Sequence, residues 1–502
     1  MLKTLKSSFA NTLIYGIGNL TSKLVGFLLI PVYVKHFSTA TYGVLGVLEV
    51  SGIAVTSILG LALSQALYRW YWDAEYNNRK KSIFFTLISF LAVFLTLALI
   101  LSYFLTPELS IALLGNSSYS DLVFLVILAS ALQIITQLIS TLMQLQQKAV
   151  LFTLSNITIL IIQLTLTVVF IVFFNSGLKG IYFAQIISLL CYFLIVPKYL
   201  FKNIEIKIEF NILKSMLIYS SPFLISNLAA LVISTSDRYF IRVFGSMGDL
   251  GVYQFGYKIA NTLSVLVISS AQMAIFPMMF KKMNDPDAKR FYSKMMTYFT
   301  FGVMFFVLFL NFYGLEIIKV IARKKEYWDS FSIIPFISLG IIFGMLRDLN
   351  TIPLQIVKKT GLISKIVISS AIFSLMLNWL IIPKYGSIGA AISFIFSQLF
   401  YFLLMTYFAQ KNYKINYEFW KIIKMLLVGI FLFFISLSLA NFSLPIRMIS
   451  KIFLIIAFPV ILYFLNFYEK IEIESMKGFW KKWKHLSNIK SNIQELTKGK
   501  NL

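Results

Sequence analysis

The chain has 502 residues, of which 59% are hydrophobic and 13% are charged, and its formal net charge is +25. A soluble globular chain is roughly 45–50% apolar and about 25% charged, so the polar residues are too few to cover a soluble fold of this length. The composition therefore predicts an integral membrane protein. Most basic residues lie in short gaps between apolar runs, which favours contact with anionic membrane lipids over nucleic-acid binding.

Apolar runs long enough to cross a bilayer as helices recur along the whole chain. The fourteen runs fall at about residues 10–34, 42–68, 83–106, 121–144, 149–174, 178–200, 215–240, 249–280, 291–313, 331–357, 361–382, 387–410, 420–440 and 448–467. Each is continuously apolar and does not alternate over about ten residues, which predicts a helix and not a barrel strand. We therefore expect an all-α polytopic membrane protein with about 14 transmembrane helices, each closing its own backbone hydrogen bonds.

The basic residues predict how these helices are oriented. With the N-terminus in the cytoplasm, the cytoplasmic loops and tails hold 31 lysines and arginines, whereas the outer loops hold 10. This bias predicts that both termini are cytoplasmic. The outer loop at residues 323–325, which carries three consecutive basic residues, departs from the bias. The first run contains Lys23 and is too long for the apolar region of a signal peptide, so we interpret it as a retained helix.

Two parts of the chain resemble each other at a nearly constant offset. Gly43 and Gly251 lie in similar segments 208 residues apart, and residues 177–180 match residues 386–389 at an offset of 209. Chance recurrence of small and aromatic residues is the alternative explanation. We interpret the offset as an internal repeat.

The repeat predicts four parts of the chain. An N-terminal six-helix lobe covers residues 1–212, and a C-terminal six-helix lobe covers residues 213–412. Two further helices follow at residues 413–467, and a basic tail follows at residues 468–502. Because six is an even number, both lobes begin in the cytoplasm, so the repeat is parallel with its axis along the membrane normal.

Charged side chains inside the predicted spans are the candidate functional residues, because each costs ~2.5–3.5 kcal/mol at the bilayer centre. They are Lys23, Glu49, Asp237, Arg238, Lys258, Arg347 and Asp348. At about 1.5 Å per residue, Lys23, Glu49 and Lys258 lie roughly 16, 10 and 14 Å from the outer ends of their helices. These three share a depth, and the cluster suits an anionic head group. An internal salt bridge that holds the lobes together is the alternative.

Two pairs of charged residues occupy neighbouring positions in predicted helices. Arg347 lies about 24 Å down the tenth helix, towards the cytoplasm. Helical neighbours point ~100° apart, so we expect Arg347 and Asp348 to reach other helices and not each other, as a cytoplasmic gate or as a structural pair. Asp237 and Arg238, near the outer end of the seventh helix, are interpreted as structural or as part of a cavity rim.

The tail from Tyr468 onward interleaves lysines with apolar residues at helical spacing. This pattern is typical of an interfacial amphipathic helix on anionic lipid, with a partner-binding helix as the alternative.

Residues that could bind a metal or act in catalysis are scarce. The sequence holds one cysteine, Cys191, and two distant histidines, His36 and His485. It carries no nucleotide-binding loop or Ser/His/Asp set. We therefore expect no metal, no cofactor and no enzymatic activity.

Three segments of the chain are informative: NTLIYGIGNLTSKLVGFLLIPVYVKHFSTATYGVLG, STSDRYFIRVFGSMGDLGVYQFGYKIA and IIPKYGSIGAAIS. They resemble the Wzx-type polysaccharide flippases of the multidrug/oligosaccharidyl-lipid/polysaccharide (MOP) superfamily. The resemblance implies a V-shaped pair of six-helix bundles in the bacterial cytoplasmic membrane. It also implies that these bundles move undecaprenyl-diphosphate-linked oligosaccharide to the outer leaflet by alternating access. Other proteins of polysaccharide assembly are further possible partners.

The resemblance also implies roles for individual residues. In the related lipid II flippases, basic residues of helices 1 and 8 contact the diphosphate. Lys23 and Lys258 fall at matching places, with lysine where arginine is usual in those relatives. We expect them to hold the diphosphate, and we expect Glu49, with Arg347 and Asp348, to serve coupling or to line the cavity.

Two other functional classes are alternatives at this point. A drug/cation antiporter of the same superfamily would need a cavity dominated by acidic groups, whereas the predicted cavity is basic. A membrane glycosyltransferase or polysaccharide polymerase would need a large outer loop with paired carboxylates or arginines, and the predicted outer loops are short.

Overall fold

The computed structural model describes residues 26–474, which form helices and no strand. The α-helices in chain order are α1 Ile30–His36, α2 Thr39–Leu59, α3 Leu63–Tyr71, α4 Lys80–Leu114, α5 Ser120–Leu145, α6 Ala149–Val168, α7 Gly177–Ile195, α8 Pro197–Lys202, α9 Phe210–Phe244, α10 Met247–Thr262, α11 Ser269–Lys281, α12 Ala288–Ile321, α13 Ile334–Ile356, α14 Thr360–Asn412, α15 Phe419–Ser438 and α16 Leu444–Phe464. The prediction of an all-α polytopic membrane protein is confirmed.

Within this described part, twelve helices are long and apolar enough to cross a membrane. The longest, α14, has 53 residues and is interrupted at Gly386, where φ is 54°. At about 1.5 Å per residue it would measure about 80 Å, so it holds the two runs predicted at 361–382 and 387–410. The twelve helices thus account for every predicted run except 10–34, most of which lies outside the described residues together with most of the predicted tail.

Short stretches of other helix types connect several of these helices. A π-helix at Val169–Phe173 ends α6, and another at Leu263–Ile268 joins α10 directly to α11. 3-10 helices lie at Ala74–Arg79 and Lys325–Ile333. π-helical turns inside α-helices are rare, and those that occur often lie at functional sites. The second π-helix follows Lys258 closely, so the helical geometry is irregular near the candidate cluster.

α2 and α10 begin in the same way and run parallel in close contact. A Cβ built on Gly43 would lie 2.0 Å from the carbonyl oxygen of Met247, and one built on Gly251 would lie 1.9 Å from that of Thr39. Only glycine permits such an approach of two backbones. Thr39 and Gly43 correspond to Met247 and Gly251 at the offset of 208. Each contact is therefore the repeat-related copy of the other, as a parallel repeat predicts.

The chain divides into two compact units, and the first comprises residues 1–291 and 314–415. Its described residues include two apolar clusters. One is formed mainly by residues of α3, α4 and α5, such as Phe84 and Leu142, with further residues from α6, α7 and α9. The other is formed by residues of α9, α13 and α14, such as Ile366 and Met405. The lobe boundaries at residues 212 and 412 stay a prediction.

The second unit comprises residues 292–313 and 416–502. On its predicted cytoplasmic side, Lys294 forms ion pairs with Glu418, at 2.8 Å, and with Glu469. Burial favours a higher pKa for Glu418, but hydrogen bonds from Lys294, Thr297 and Lys421 lower its pKa to about 2. The Glu418 carboxylate is therefore ionised at neutral pH and keeps α12, α15 and the start of the tail together in this unit.

Candidate functional site

An ion pair between two membrane-spanning helices forms the centre of the candidate site. The ammonium Nζ of Lys258 on α10 lies 2.7 Å from Oε1 of Glu49 on α2. Their side chains are 16% and 30% exposed, respectively, so the pair is partly shielded and yet accessible. Lys258 and Glu49, which were predicted to share a depth, are therefore in contact, and their role as a binding site or as a salt bridge that holds the lobes together stays a prediction. It joins segments that the sequence assigns to different lobes.

Gln254, one turn before Lys258, extends this pair into a longer polar chain. Its Nε2 donates to Oε2 of Glu49 at 3.1 Å, and its Oε1 accepts from Nε of Arg238 at 3.3 Å. The sequence analysis missed Gln254 because it considered only charged residues. A signal was present, since Gln254 is a polar residue in a predicted span and lies 208 residues after Gly46, which its side chain contacts.

Asp237 and Arg238 on α9 form the buried end of the chain. They are 4% and 2% exposed, and Nη1 of Arg238 lies 2.6 Å from Oδ1 of Asp237. The hydroxyl of Tyr253 donates to Oδ2 of Asp237, and the Arg238 guanidinium lies 3.9 Å from the ring centroid of Tyr257. Each charge therefore has several partners, which a buried pair requires. This arrangement favours the structural interpretation over a cavity rim.

Lys258 also faces a cavity of about 130 Å³. The cavity is also lined by Asn261 and Thr262 of α10, and by Phe27 and Ile30. Phe27 belongs to the predicted first helix, which also carries Lys23. Lys23 itself lies outside the described residues, so its expected position beside Lys258 stays a prediction.

Aromatic rings surround the Glu49–Lys258 pair. Nζ of Lys258 lies 5.5 Å from the ring centroid of Tyr42 and 5.9 Å from that of Tyr33. Such rings stabilise an ammonium group and lower the local dielectric constant, which strengthens its attraction to any anion that enters.

Arg347 and Asp348 on α13 contact each other, which contradicts the expectation that they would reach only other helices. Nη2 of Arg347 lies 2.7 Å from Oδ1 of Asp348, because the arginine side chain is long enough to reach a neighbour that points ~100° away around the helix. The pair also reaches outward, since Nη1 of Arg347 donates to Gln398 at 3.0 Å and Asp348 accepts from Gln272 at 3.2 Å. It therefore connects α13 to α14 and α11. Whether it gates the cytoplasmic side stays a prediction.

The charges of the site decide what it can bind. Within residues 26–474, Glu49 balances Lys258 and Asp237 balances Arg238, and Lys23 is the further positive charge of the predicted cluster. A lysine ammonium is a compact point charge that can exchange one oxyanion partner for another. The accessible Glu49–Lys258 pair therefore suits reversible binding of a phosphate group.

Comparisons with known proteins agree with this architecture. The model of a family described as "Polysaccharide biosynthesis protein" matches residues 8–283. A protein of Shigella flexneri whose name proposes an O-antigen transporter is 22% identical over 225 residues, which are 44% of this chain and 52% of that protein. The chain spans about half the length of the first curated relatives that it matches.

Two solved structures show the same fold at low sequence identity. One is the lipid II flippase MurJ in an inward closed conformation, with a TM-score of 0.69, 17% identity, and coverage of 91% of this chain and 100% of that chain. The other is an inward-facing multidrug resistance MATE family transporter of the MOP superfamily, with a TM-score of 0.64, 12% identity, and coverage of 79% and 94%.

Proposed function

The chain belongs to the polysaccharide biosynthesis protein family, and from this premise we propose that it is a flippase for lipid-linked oligosaccharide. The substrate is an undecaprenyl-diphosphate-linked repeat unit, which the protein moves across the bacterial cytoplasmic membrane for surface polysaccharide synthesis. The fold, shared with transporters of the MOP superfamily, supports this proposal. Both termini lie in the cytoplasm, and the basic tail contacts anionic lipids.

The observation that carries the proposal is the position of the Lys258 ammonium. It faces a cavity and has one accessible carboxylate partner, Glu49. In the proposed mechanism, Lys258 and Lys23 hold the diphosphate, the sugar occupies the polar interior, and the lipid tail stays in the bilayer. No covalent bond changes, because a polar path for a charged head group is sufficient to lower the barrier to its translocation.

Glu49 is the candidate for coupling to an ion gradient. When the diphosphate enters, it takes over the ammonium of Lys258, and the released carboxylate becomes free to bind a proton or a cation. When the diphosphate leaves, the pair re-forms. Transport that is insensitive to collapse of the ion gradients would remove this role and leave Glu49 as a counter-ion only.

The test is a flippase assay in liposomes with the double variant Lys23→Ala and Lys258→Ala. We expect loss of transport of undecaprenyl-diphosphate-linked oligosaccharide, with the protein still folded and inserted. Lys258→Arg keeps the charge and should retain activity. Lys179→Ala, which removes an exposed lysine paired with Asp121, serves as the matched control. Transport by the double variant at the rate of the control contradicts the proposal.

A drug/cation antiporter is the second candidate, because one of the similar folds is that of a multidrug transporter. An organic cation would have to displace the Lys258 ammonium from Glu49 and would be repelled by the predicted charge of Lys23. In the same liposomes, efflux of a cationic dye driven by a proton or sodium gradient, without movement of the lipid-linked sugar, would favour the antiporter.

A further inference from the structure

A second cavity, of about 120 Å³, lies where a membrane-spanning helix is interrupted. The predicted run 42–68 is continuous, but in the structure α2 ends at Leu59 and α3 begins at Leu63. Between them Leu61 and Ala62 adopt left-handed backbone, with φ of 49° and 52°, which non-glycine residues rarely adopt. Irregular backbone within a membrane protein is tolerated where it is buried in protein or lines a water-filled cavity. Gly60 and Ala62 of the interruption line this cavity.

Uncharged polar side chains from four helical segments converge on this cavity. They are Thr56, Ser57, Ser64, Gln65, Gln137 and Asn227. All six residues are half-buried or exposed, so water reaches their polar groups when no ligand is bound. A ligand that displaces this water must replace its hydrogen bonds. The set is a preformed array of donors and acceptors.

The chemistry of the lining restricts the ligand. Hydroxyl and amide groups both donate and accept hydrogen bonds, and among residues 26–474 no charged residue lines this cavity. The lining therefore offers neither a cationic side chain to neutralise a phosphate group nor a carboxylate to balance a divalent cation. A neutral ligand rich in hydroxyl groups, such as a sugar, matches the array.

We propose that this cavity binds sugar residues of the lipid-linked substrate, an inference that rests on the proposed function and adds the place where the glycan is recognised. Thr56 lies seven residues after Glu49 on α2, which is about 10 Å along the helix. An oligosaccharide attached to a diphosphate at Lys258 can span that distance. Asn227 comes from α9, so the predicted second lobe also contributes to the site.

Binding of two probe lipids to the full-length chain in nanodiscs tests the proposal. The probes are undecaprenyl diphosphate alone and the same lipid carrying N-acetylglucosamine. The measured quantity is the affinity for the sugar-bearing lipid divided by the affinity for the bare lipid. The double variant Gln65→Leu with Asn227→Leu should lower this ratio by about tenfold, because one or two hydrogen bonds to the sugar are lost. The matched control is Gln133→Leu, one turn from Gln137 on the exposed side of α5 and outside the cavity.

The possible outcomes separate this inference from the proposed function. An affinity ratio that falls in the cavity variant and not in the control supports the sugar site. An unchanged ratio overturns the sugar site. Lipid binding that depends on sodium in the wild-type chain, and that loses this dependence only in the cavity variant, would indicate a cation site and also overturns the sugar site. If the wild-type chain binds neither lipid, the proposed function fails and the sugar site fails with it. Binding of both lipids with equal affinity overturns the sugar site alone.

Discussion

Asp237 and Arg238 illustrate how a charged residue inside the membrane can serve the fold. Both are almost fully buried, and Tyr253 and Gln254 complete their hydrogen bonds. The energetic value of such a pair appears when one member is removed, because the other charge is then left uncompensated. The accessible Glu49–Lys258 pair has no comparable enclosure, so the two pairs should respond differently to substitution.

Asp237→Asn should therefore destabilise the protein by about 3–5 kcal/mol, since the buried Arg238 guanidinium loses its counter-ion. The matched control is Asp121→Asn, which breaks an exposed ion pair with Lys179 and should change stability by less than about 1 kcal/mol. The measurement is the midpoint of thermal unfolding in detergent. Equal midpoints for the two variants would contradict a structural role for Asp237.

For single residues, the sequence predicts the contacts of charged side chains better than those of neutral polar side chains. Glu49 and Lys258 could be placed together because a buried charge in a membrane needs a partner, and helical rise gives its depth. Gln254 and the polar side chains of the second cavity carry no such cost on their own. Their convergence depends on helix rotation and on the interruption after α2, which a single sequence does not specify.

Among the elements, the contact between α2 and α10 has the clearest consequence for transport. Their backbones touch near Gly43 and Gly251, at the ends that the predicted topology places outside the membrane. Alternating access requires a path to the outer leaflet to open and close. Under the proposed mechanism, this contact closes the outer side, and we expect the two helices to separate there during each transport cycle.

A disulfide across this contact should stop transport reversibly. A Cβ built on Gly248 lies 3.6 Å from Oγ1 of Thr39, which is close enough for a bond between cysteines at these positions. In a Cys191→Ser background, Thr39→Cys with Gly248→Cys should lose flippase activity on oxidation and recover it with a thiol reductant. Each single-cysteine variant is a control. Undiminished transport by the cross-linked chain would show that these helix ends do not separate.

The helices themselves were predictable because the bilayer sets their length and excludes polar backbone. The residues at which the helices begin and end were not predictable in this way. α4 extends from Lys80 to Leu114 beyond the predicted run 83–106, since Pro107 and Glu108 end the apolar stretch but not the helix. In contrast, the apolar sequence around Leu61 gave no sign of the interruption, because tertiary packing decides the backbone conformation there.

For the whole molecule, the balance of charge is the property that the sequence predicts most directly. The outer loop at residues 323–325 departs from the bias, and the structure gives a local reason. Nζ of Lys324 donates to the carbonyl oxygen of Phe37 at 2.7 Å, next to the end of α1. A cation at the end of a helix satisfies a free carbonyl and interacts favourably with the helix dipole. This bond gives one of the three basic residues of the predicted outer loop a structural role, and the orientation stays a prediction.

The orientation can be tested by labelling cysteines from each side of the membrane. Ser117 and Asp285 are exposed, on the loops before α5 and before α12. In a Cys191→Ser background, Ser117→Cys should react with an impermeant maleimide in right-side-out vesicles, and Asp285→Cys should react in inverted vesicles, because the basic loops stay in the cytoplasm. The reverse pattern would place both termini outside. The substrate would then enter the site from the outer leaflet, so the same experiment tests the direction of transport that the proposed function requires.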